Sequence, residues 1–181
     1  GQSNAFQHSS DQYAVIPHTD WHPVFNHFQD TILIVDKGQK KVSSTLGHQL
    51  MEGHPFAVQR FEQAHHNLSQ LKTALTTGDL DQFIDLTEAE ALSLHAMMMT
   101  SHPRFVLMQP NTLAIINKIW DYRSQTTLPL CFTLDAGANV HLLYPEQHRA
   151  LIMDFIKTEL LAHCQQGKYI EDQVGNGAKK I

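Results

Sequence analysis

The sequence lacks the features of several large protein classes. Its longest apolar run falls well short of the roughly 20 residues that a membrane-spanning helix needs. Basic residues are in the minority, with 13 lysines and arginines against 18 acidic residues and a net charge of -5. Binding to nucleic acid or to an anionic membrane surface is favoured by a basic face on the protein. We therefore expect a globular protein with no nucleic-acid partner and no membrane partner.

Cysteine is scarce and histidine is abundant. Cys131 and Cys164 form no CxxC pair, and both lie in apolar stretches. Such cysteines are typically buried free thiols, which favours a reducing, cytoplasmic location. There are 13 histidines, but no HExxH or comparable ligand spacing occurs, so we predict no protein-built metal site.

Hydrophobic periodicity predicts an α+β domain. The expected order is a strand, three helices, a hairpin, a helix and a strand. The corresponding ranges are 31–38, 56–75, 79–99, 110 onwards, 130–134, 140–144, 145–167 and 168–174. Gly78 is expected to end the first helix, and Asp79 to cap the second. Helices grouped beside an antiparallel hairpin favour an antiparallel sheet packed against helices over a parallel sheet.

The stretch "LDAGANV" joins the two strands of the hairpin. A tight turn explains it if Asp135 and Asn139 bond their own backbone and Gly137 takes a positive φ. Alternatively, the small residues let a substrate lie against the loop while Asp135 accepts or orients a proton. Turn chemistry is the more frequent explanation of such a spacing.

Two further stretches carry candidate site residues. In "KKVSSTLGH", Ser43 or Ser44 stands where a helix opens, so the hydroxyls and free N–H groups predict either a phosphate site or an ordinary N-cap. In "SLHAMMMTSHP", His95 lies near a helix end beside three methionines. A histidine among apolar residues is usually an interior residue, and the methionines are typical of core filling.

Taken together, these stretches resemble one family, the mevalonate diphosphate decarboxylases of the GHMP kinase superfamily. The resemblance covers residues 30–178 through "DTILIVDKGQKKVSSTLGH", "EALSLHAMMMTSHP", "FTLDAGANVHLLYPE" and "DQVGNGA", in family order. Two positions depart from the family pattern, since Ala138 replaces a proline and His48 replaces a methionine.

The resemblance implies a function and site residues. It makes Asp135 the catalytic carboxylate that acts on the 3-hydroxyl of mevalonate 5-diphosphate, which ATP with Mg²⁺ phosphorylates before phosphate and carbon dioxide leave to give isopentenyl diphosphate. It makes Ser44, then Ser43, the phosphate-contacting serine, and places His95 in the site wall. Gly137 and Asn139 complete the expected substrate-binding set.

The resemblance also implies a domain arrangement. Residues 1–45 are expected to be the tail of an N-terminal lobe, and residues 46–181 a GHMP kinase C-terminal domain. Nothing in the chain matches the family's ATP-binding loop or its carboxylate-binding arginine. We expect both to precede Gly1 in a longer protein, the 181 residues alone to be inert, and a homodimer to be compatible with the family.

Two alternatives remain open at this point. One is a related kinase that phosphorylates mevalonate or phosphomevalonate without decarboxylation. The other is a noncatalytic binding or dimerisation module that keeps the fold.

Overall fold

The computed structural model describes residues 21–38 and 49–175. The four strands are β1 (Gln29–Leu33), β2 (Cys131–Leu134), β3 (Val140–Tyr144) and β4 (Tyr169–Gln173). The four α-helices are α1 (Ala57–Thr77), α2 (Leu80–Thr100), α3 (Pro110–Thr126) and α4 (Arg149–Phe155), and a π-helical turn at Ile156–Leu160 continues α4. Short 3₁₀ turns lie at Pro23–Phe25, Glu146–His148, Leu161–His163 and Gln165–Gly167. Within the described ranges, no helix has the length and apolarity needed to cross a membrane.

The strands form one antiparallel sheet in the order β2-β3-β1-β4. The predicted α+β class and order of elements are confirmed. Strand β1 precedes the expected boundary at residue 45, yet it pairs with both β3 and β4, with Thr31 opposite Leu142 on one side and Glu171 on the other. The two predicted segments therefore share one sheet. The boundary itself lies between residues 39 and 48, outside the described residues.

The predicted helix signals at the α1–α2 junction are confirmed. Gly78 has a φ of 78° and ends α1, with its N–H donating to the carbonyl of Ala74. The Asp79 side chain accepts a hydrogen bond from the Gln82 N–H at 3.0 Å and caps α2. The apolar pattern of α1 overstated its burial, because Val58 and Phe61 are exposed.

The two largest of three hydrophobic clusters among the described residues fill most of the interior. The larger one joins the sheet to α3 and α4, and the smaller one packs three phenylalanines and a cysteine against α1 and α2. The fully buried aromatic and aliphatic residues of the larger cluster include Phe132, Tyr144, Ile115, Ile119, Leu142 and Ile152. Both cysteines are buried free thiols, as predicted. Burial raises the pKa of Cys164 to about 11, which keeps the thiol protonated and unreactive at neutral pH.

A buried carboxylate closes the β2 edge of the sheet. Glu88 on α2 accepts two hydrogen bonds from the Arg123 guanidinium, at 2.6 and 3.0 Å, and one from Trp120 Nε1 at 2.8 Å. Its Oε1 also lies 3.4 Å from the Phe132 backbone nitrogen on β2. The hydrogen bond that Arg123 donates to Glu88 raises the pKa of Arg123. Helix α2 is thereby fixed against β2, which leads directly into the Asp135 loop.

Candidate functional site

The Asp135 loop lines a cavity of about 500 Å³. It spans residues 135–139 between the paired strands β2 and β3. The Asp135 side chain is exposed, and the remaining lining comes from the segment after β1, from the start of β4, and from Leu107 and Gln109. An exposed carboxylate on a cavity wall has access to a small-molecule hydroxyl, which is what proton transfer requires.

His95 holds the loop from below. It is 1% exposed, and its Nε2 lies 3.1 Å from the carbonyl oxygen of Asp135. Because a carbonyl only accepts, Nε2 carries the proton. Desolvation lowers the pKa of His95, opposed in part by the hydrogen bond to Asp135 and by the Asp135 charge. The imidazole is therefore neutral at pH 7, and the structure places it beneath the loop rather than among the residues that line the cavity.

Gly137 is explained by the carboxylate next to it. A Cβ at this position would lie 3.0 Å from Oδ1 of Asp135, which is closer than ordinary contacts allow. Its N–H donates to the Asp135 carbonyl at 2.7 Å. The positive φ expected from turn chemistry is not observed, since Gly53, Gly78 and Gly167 are the described glycines with that geometry. A side chain here would displace the Asp135 carboxylate, so close approach to Asp135, and not left-handed backbone, explains the glycine.

Thr112 is a supporting residue that sequence reasoning missed. Its hydroxyl is fully buried and donates to the Ala138 carbonyl at 2.6 Å, while it accepts from the Gln109 N–H at 3.1 Å. The local signal is the capping box that opens α3. A capping box predicts a helix start, but nothing in the sequence links that start to Ala138, which is 26 residues away.

Asn139 connects the loop to the segment that follows β1. Its Oδ1 accepts from the backbone N–H groups of Val35 at 2.9 Å and of Asp36 at 3.0 Å. Turn chemistry predicted a hydrogen bond to its own backbone, whereas the side-chain oxygen accepts from the segment that follows β1. Because the side-chain oxygen of Asn139 already accepts two hydrogen bonds, the predicted contact with substrate would be made by its amide NH₂ group.

In the segment after β1, residues 34–38, Ile34 still bonds the main chain of Gln165 and Lys168, whereas the residues beyond it are held by side chains. Gln165 Oε1 accepts from the Lys37 N–H at 2.9 Å, and Asp36 Oδ1 accepts from the Gly38 N–H at 2.7 Å. This explains why the strand predicted over 31–38 ends at Leu33. The segment leads towards Ser43 and Ser44, which lie outside the described residues, so the predicted phosphate site at the serines stays a prediction.

Among the described residues, the charged ones that line the cavity are two carboxylates, Asp36 and Asp135, and two lysines, Lys37 and Lys168. Among the residues that the structure describes, no group of three or more His, Cys, Asp or Glu side chains is arranged to hold a metal ion. The arrangement suits a phosphorylated small molecule with a hydroxyl at the carboxylate and its anionic groups at the lysines.

Comparison with known proteins identifies the family. A family model described as the mevalonate 5-diphosphate decarboxylase C-terminal domain matches residues 31–180. A phosphomevalonate decarboxylase from Haloferax volcanii is 34% identical over 89 residues, which are 49% of this chain and 28% of that protein.

Two solved structures share the fold. Mevalonate pyrophosphate decarboxylase from Streptococcus pyogenes aligns with a TM-score of 0.75 at 23% identity, over 90% of this chain and 48% of that chain. MDDEF, in complex with MVAPP, AMPPCP and magnesium, aligns with a TM-score of 0.72 at 23% identity, over 82% of this chain and 44% of that chain. The chain thus spans less than half the length of these relatives. Since the family model matches most of it, the chain belongs to the mevalonate 5-diphosphate decarboxylase family and contains that family's C-terminal domain.

Proposed function

We propose that the protein to which this chain belongs catalyses the ATP-dependent decarboxylation of mevalonate 5-diphosphate to isopentenyl diphosphate. The observation that carries the proposal is Asp135, an exposed carboxylate on the cavity wall whose loop is fixed from the interior by His95 and Thr112. Fixed positioning matters because a base contributes to rate only when it is held at hydrogen-bond distance from its proton.

Asp135 acts on the tertiary 3-hydroxyl of the substrate. Its carboxylate orients that hydroxyl and accepts the proton while the hydroxyl oxygen forms a bond to the γ-phosphorus of ATP and ADP leaves. The phosphate then leaves carbon 3 with the electron pair of the C–O bond. Carbon dioxide leaves carbon 2, and the electrons of the broken C–C bond form the new double bond. The Asp135 loop supplies position and charge, on which phosphoryl transfer mainly depends.

ATP and Mg²⁺ are the proposed cofactors. MDDEF in complex with MVAPP, AMPPCP and magnesium supports both. Mg²⁺ is usually bound through substrate phosphates and one or two carboxylates. Among the described lining residues, Asp36 is the carboxylate that is not assigned as the base, so it would help to hold the ion. The ion would supply neutralisation of phosphate charge.

Further residues complete the proposal. Ser44, with Ser43 beside it, binds the substrate phosphates, while Gly137 leaves room for substrate and Asn139 contacts it through its amide. Residues 1–45 form the tail of an N-terminal lobe that carries the ATP-binding loop and the arginine. The protein is cytoplasmic and forms a homodimer, and the 181 residues alone give no turnover.

A second substrate also has support. The Haloferax volcanii relative is a phosphomevalonate decarboxylase, which favours mevalonate 5-phosphate as the competing substrate for the same reaction. The family model and this relative are both decarboxylases, and they favour carbon dioxide release over phosphorylation alone.

The test measures ATP-dependent carbon dioxide release by the full-length protein with each of the two substrates. We expect turnover with the diphosphate, and a kcat lower by about a hundred- to ten-thousand-fold in Asp135→Asn. The stability of this variant should change little because the side chain is exposed. If Asp135→Asn keeps the wild-type kcat, Asp135 is not the base. A preference for mevalonate 5-phosphate over the diphosphate identifies the second substrate as the correct one. Phosphorylation of either substrate without carbon dioxide release contradicts the proposed decarboxylation.

A further inference from the structure

Two lysines meet in the cavity that Asp135 lines. Lys37 lies just after β1 and Lys168 just before β4, and both exposed side chains contribute to the lining. The pKa of Lys37 is lowered, first by the interaction of its side chain with Lys168, and further by desolvation and by the Lys168 charge. Two ammonium groups that line one cavity repel each other, so the folded chain must hold their segments together by other means.

Gln165 holds the two lysine segments together through hydrogen bonds to their main chains. Its Oε1 accepts from the Lys37 N–H at 2.9 Å, and its carbonyl accepts from the Lys168 N–H at 3.2 Å. Its own N–H donates to the Ile34 carbonyl at 2.6 Å, and the Ile34 N–H donates to the Lys168 carbonyl at 3.1 Å. One residue therefore ties the main chains at both lysines to each other.

Within residues 21–38 and 49–175, neither ammonium group forms an ion pair. The two carboxylates that line the same cavity are Asp36, whose Oδ1 is bonded to the Gly38 N–H, and Asp135. The cavity therefore combines an acidic group for hydroxyl chemistry with a paired positive charge that an anion can neutralise.

We propose that Lys37 and Lys168 together bind an oligophosphate group in the cavity beside Asp135. This inference rests on the proposed function for its place in the reaction. Two ammonium groups present six N–H donors, and phosphate oxygens between them turn repulsion into two charge-assisted contacts. The 5-diphosphate of the substrate and the triphosphate of ATP share this chemistry, so both are sources of the group.

Calorimetry of inorganic pyrophosphate and triphosphate binding to the chain tests the proposal. We expect Lys37→Gln and Lys168→Gln each to weaken binding by about fivefold, the scale of an exposed charge contact, and the double variant to weaken it further. Lys157→Gln is the matched control, because it removes an exposed lysine that does not line the cavity. The proposed anion site is contradicted by any of three results: wild-type affinity in the double variant, an equal loss of affinity in the Lys157→Gln control, or no binding to the unaltered chain.

Kinetics of the full-length protein then identify the source of the phosphates. A higher KM for ATP in the double variant assigns the pair to the triphosphate, and a higher KM for the phosphorylated mevalonate assigns it to the substrate. Two unchanged KM values overturn the role in the reaction. If pyrophosphate binding depends on both lysines but no carbon dioxide is released, the proposed function fails and the anion site stands.

Discussion

The two walls of the cavity are held by different kinds of contact. The carboxylate wall, residues 135–139, rests on His95 and Thr112, which are 1% and 0% exposed. The lysine wall, residues 34–38 with Lys168, is held by backbone hydrogen bonds at Ile34 and Lys168 and by the side-chain oxygens of Asn139 and Gln165, nearer to solvent. Buried hydrogen bonds are costlier to lose than exposed ones, because the stranded group finds no water. We therefore expect the wall with the base to be the more rigid of the two.

Helix α2 is the common support of the rigid wall. Glu88 fixes β2 at the start of the hairpin, and His95 holds the Asp135 carbonyl at its tip. The two residues are seven positions apart, about two helical turns, so they project from the same face. Disturbing α2 should thus affect the carboxylate wall more than the lysine wall.

The largest expected effect is that of Glu88→Gln, which breaks the support of the carboxylate wall. It leaves the Arg123 guanidinium without its counter-ion beside buried groups, and we expect a loss of about 2–3 kcal/mol in the free energy of unfolding. The estimate lies at the low end for buried pairs because Arg123 is partly exposed. Urea denaturation measures it, with the exposed Glu62→Gln as control. A loss no greater than the control's contradicts the assigned role.

His95→Met should cost less, about 1–2 kcal/mol in the free energy of unfolding. Methionine keeps an apolar side chain in the site but removes the donor to Asp135. In the full-length protein we also expect kcat to fall by about tenfold, the scale of a misplaced base, with KM nearly unchanged. His95→Gln places an N–H donor near the Nε2 position and should recover most of the kcat. Equal kcat values in the two variants argue against positioning by this hydrogen bond.

For the lysine wall, whose N–H groups Asn139 accepts from across the cavity, Asn139→Leu should cost about 1 kcal/mol, because two partly exposed N–H groups lose their acceptor. Asn139→Asp keeps an oxygen at the same place and should retain most of the stability. Thermal unfolding of the three proteins makes the comparison. If Asn139→Leu destabilises the chain as much as Glu88→Gln does, the two walls do not differ in the way proposed.

The smallest effect concerns pH. The pKa of His95 is below its ordinary value of 6.5 in the folded chain, so the unfolded chain binds its proton more readily. Stability should fall as pH drops below 6.5 towards the lowered pKa, and should be unaffected above it. Unfolding free energies between pH 5 and 8, measured for the unaltered chain and for His95→Gln, should differ in slope. Parallel slopes mean that His95 does not titrate as described.

Local signals in the sequence predicted much of the fold. Gly78 and Asp79 mark a helix boundary through backbone preferences of neighbouring residues, and the hairpin on either side of Asp135 follows from short apolar runs. Strand β1 was predicted to extend too far because the apolar run continues through Ile34 and Val35, and only distant side chains show where pairing stops.

The sequence by itself therefore determined the order of elements and, through the family resemblance, the residue to test first, Asp135. Tertiary structure alone decided how that residue is held and what faces it. Asn139 serves residues more than 100 positions away, and Gln165 brings together lysines from opposite ends of the chain. Such contacts depend on which strands become neighbours in the sheet, and a local pattern of residues does not indicate the order of the strands.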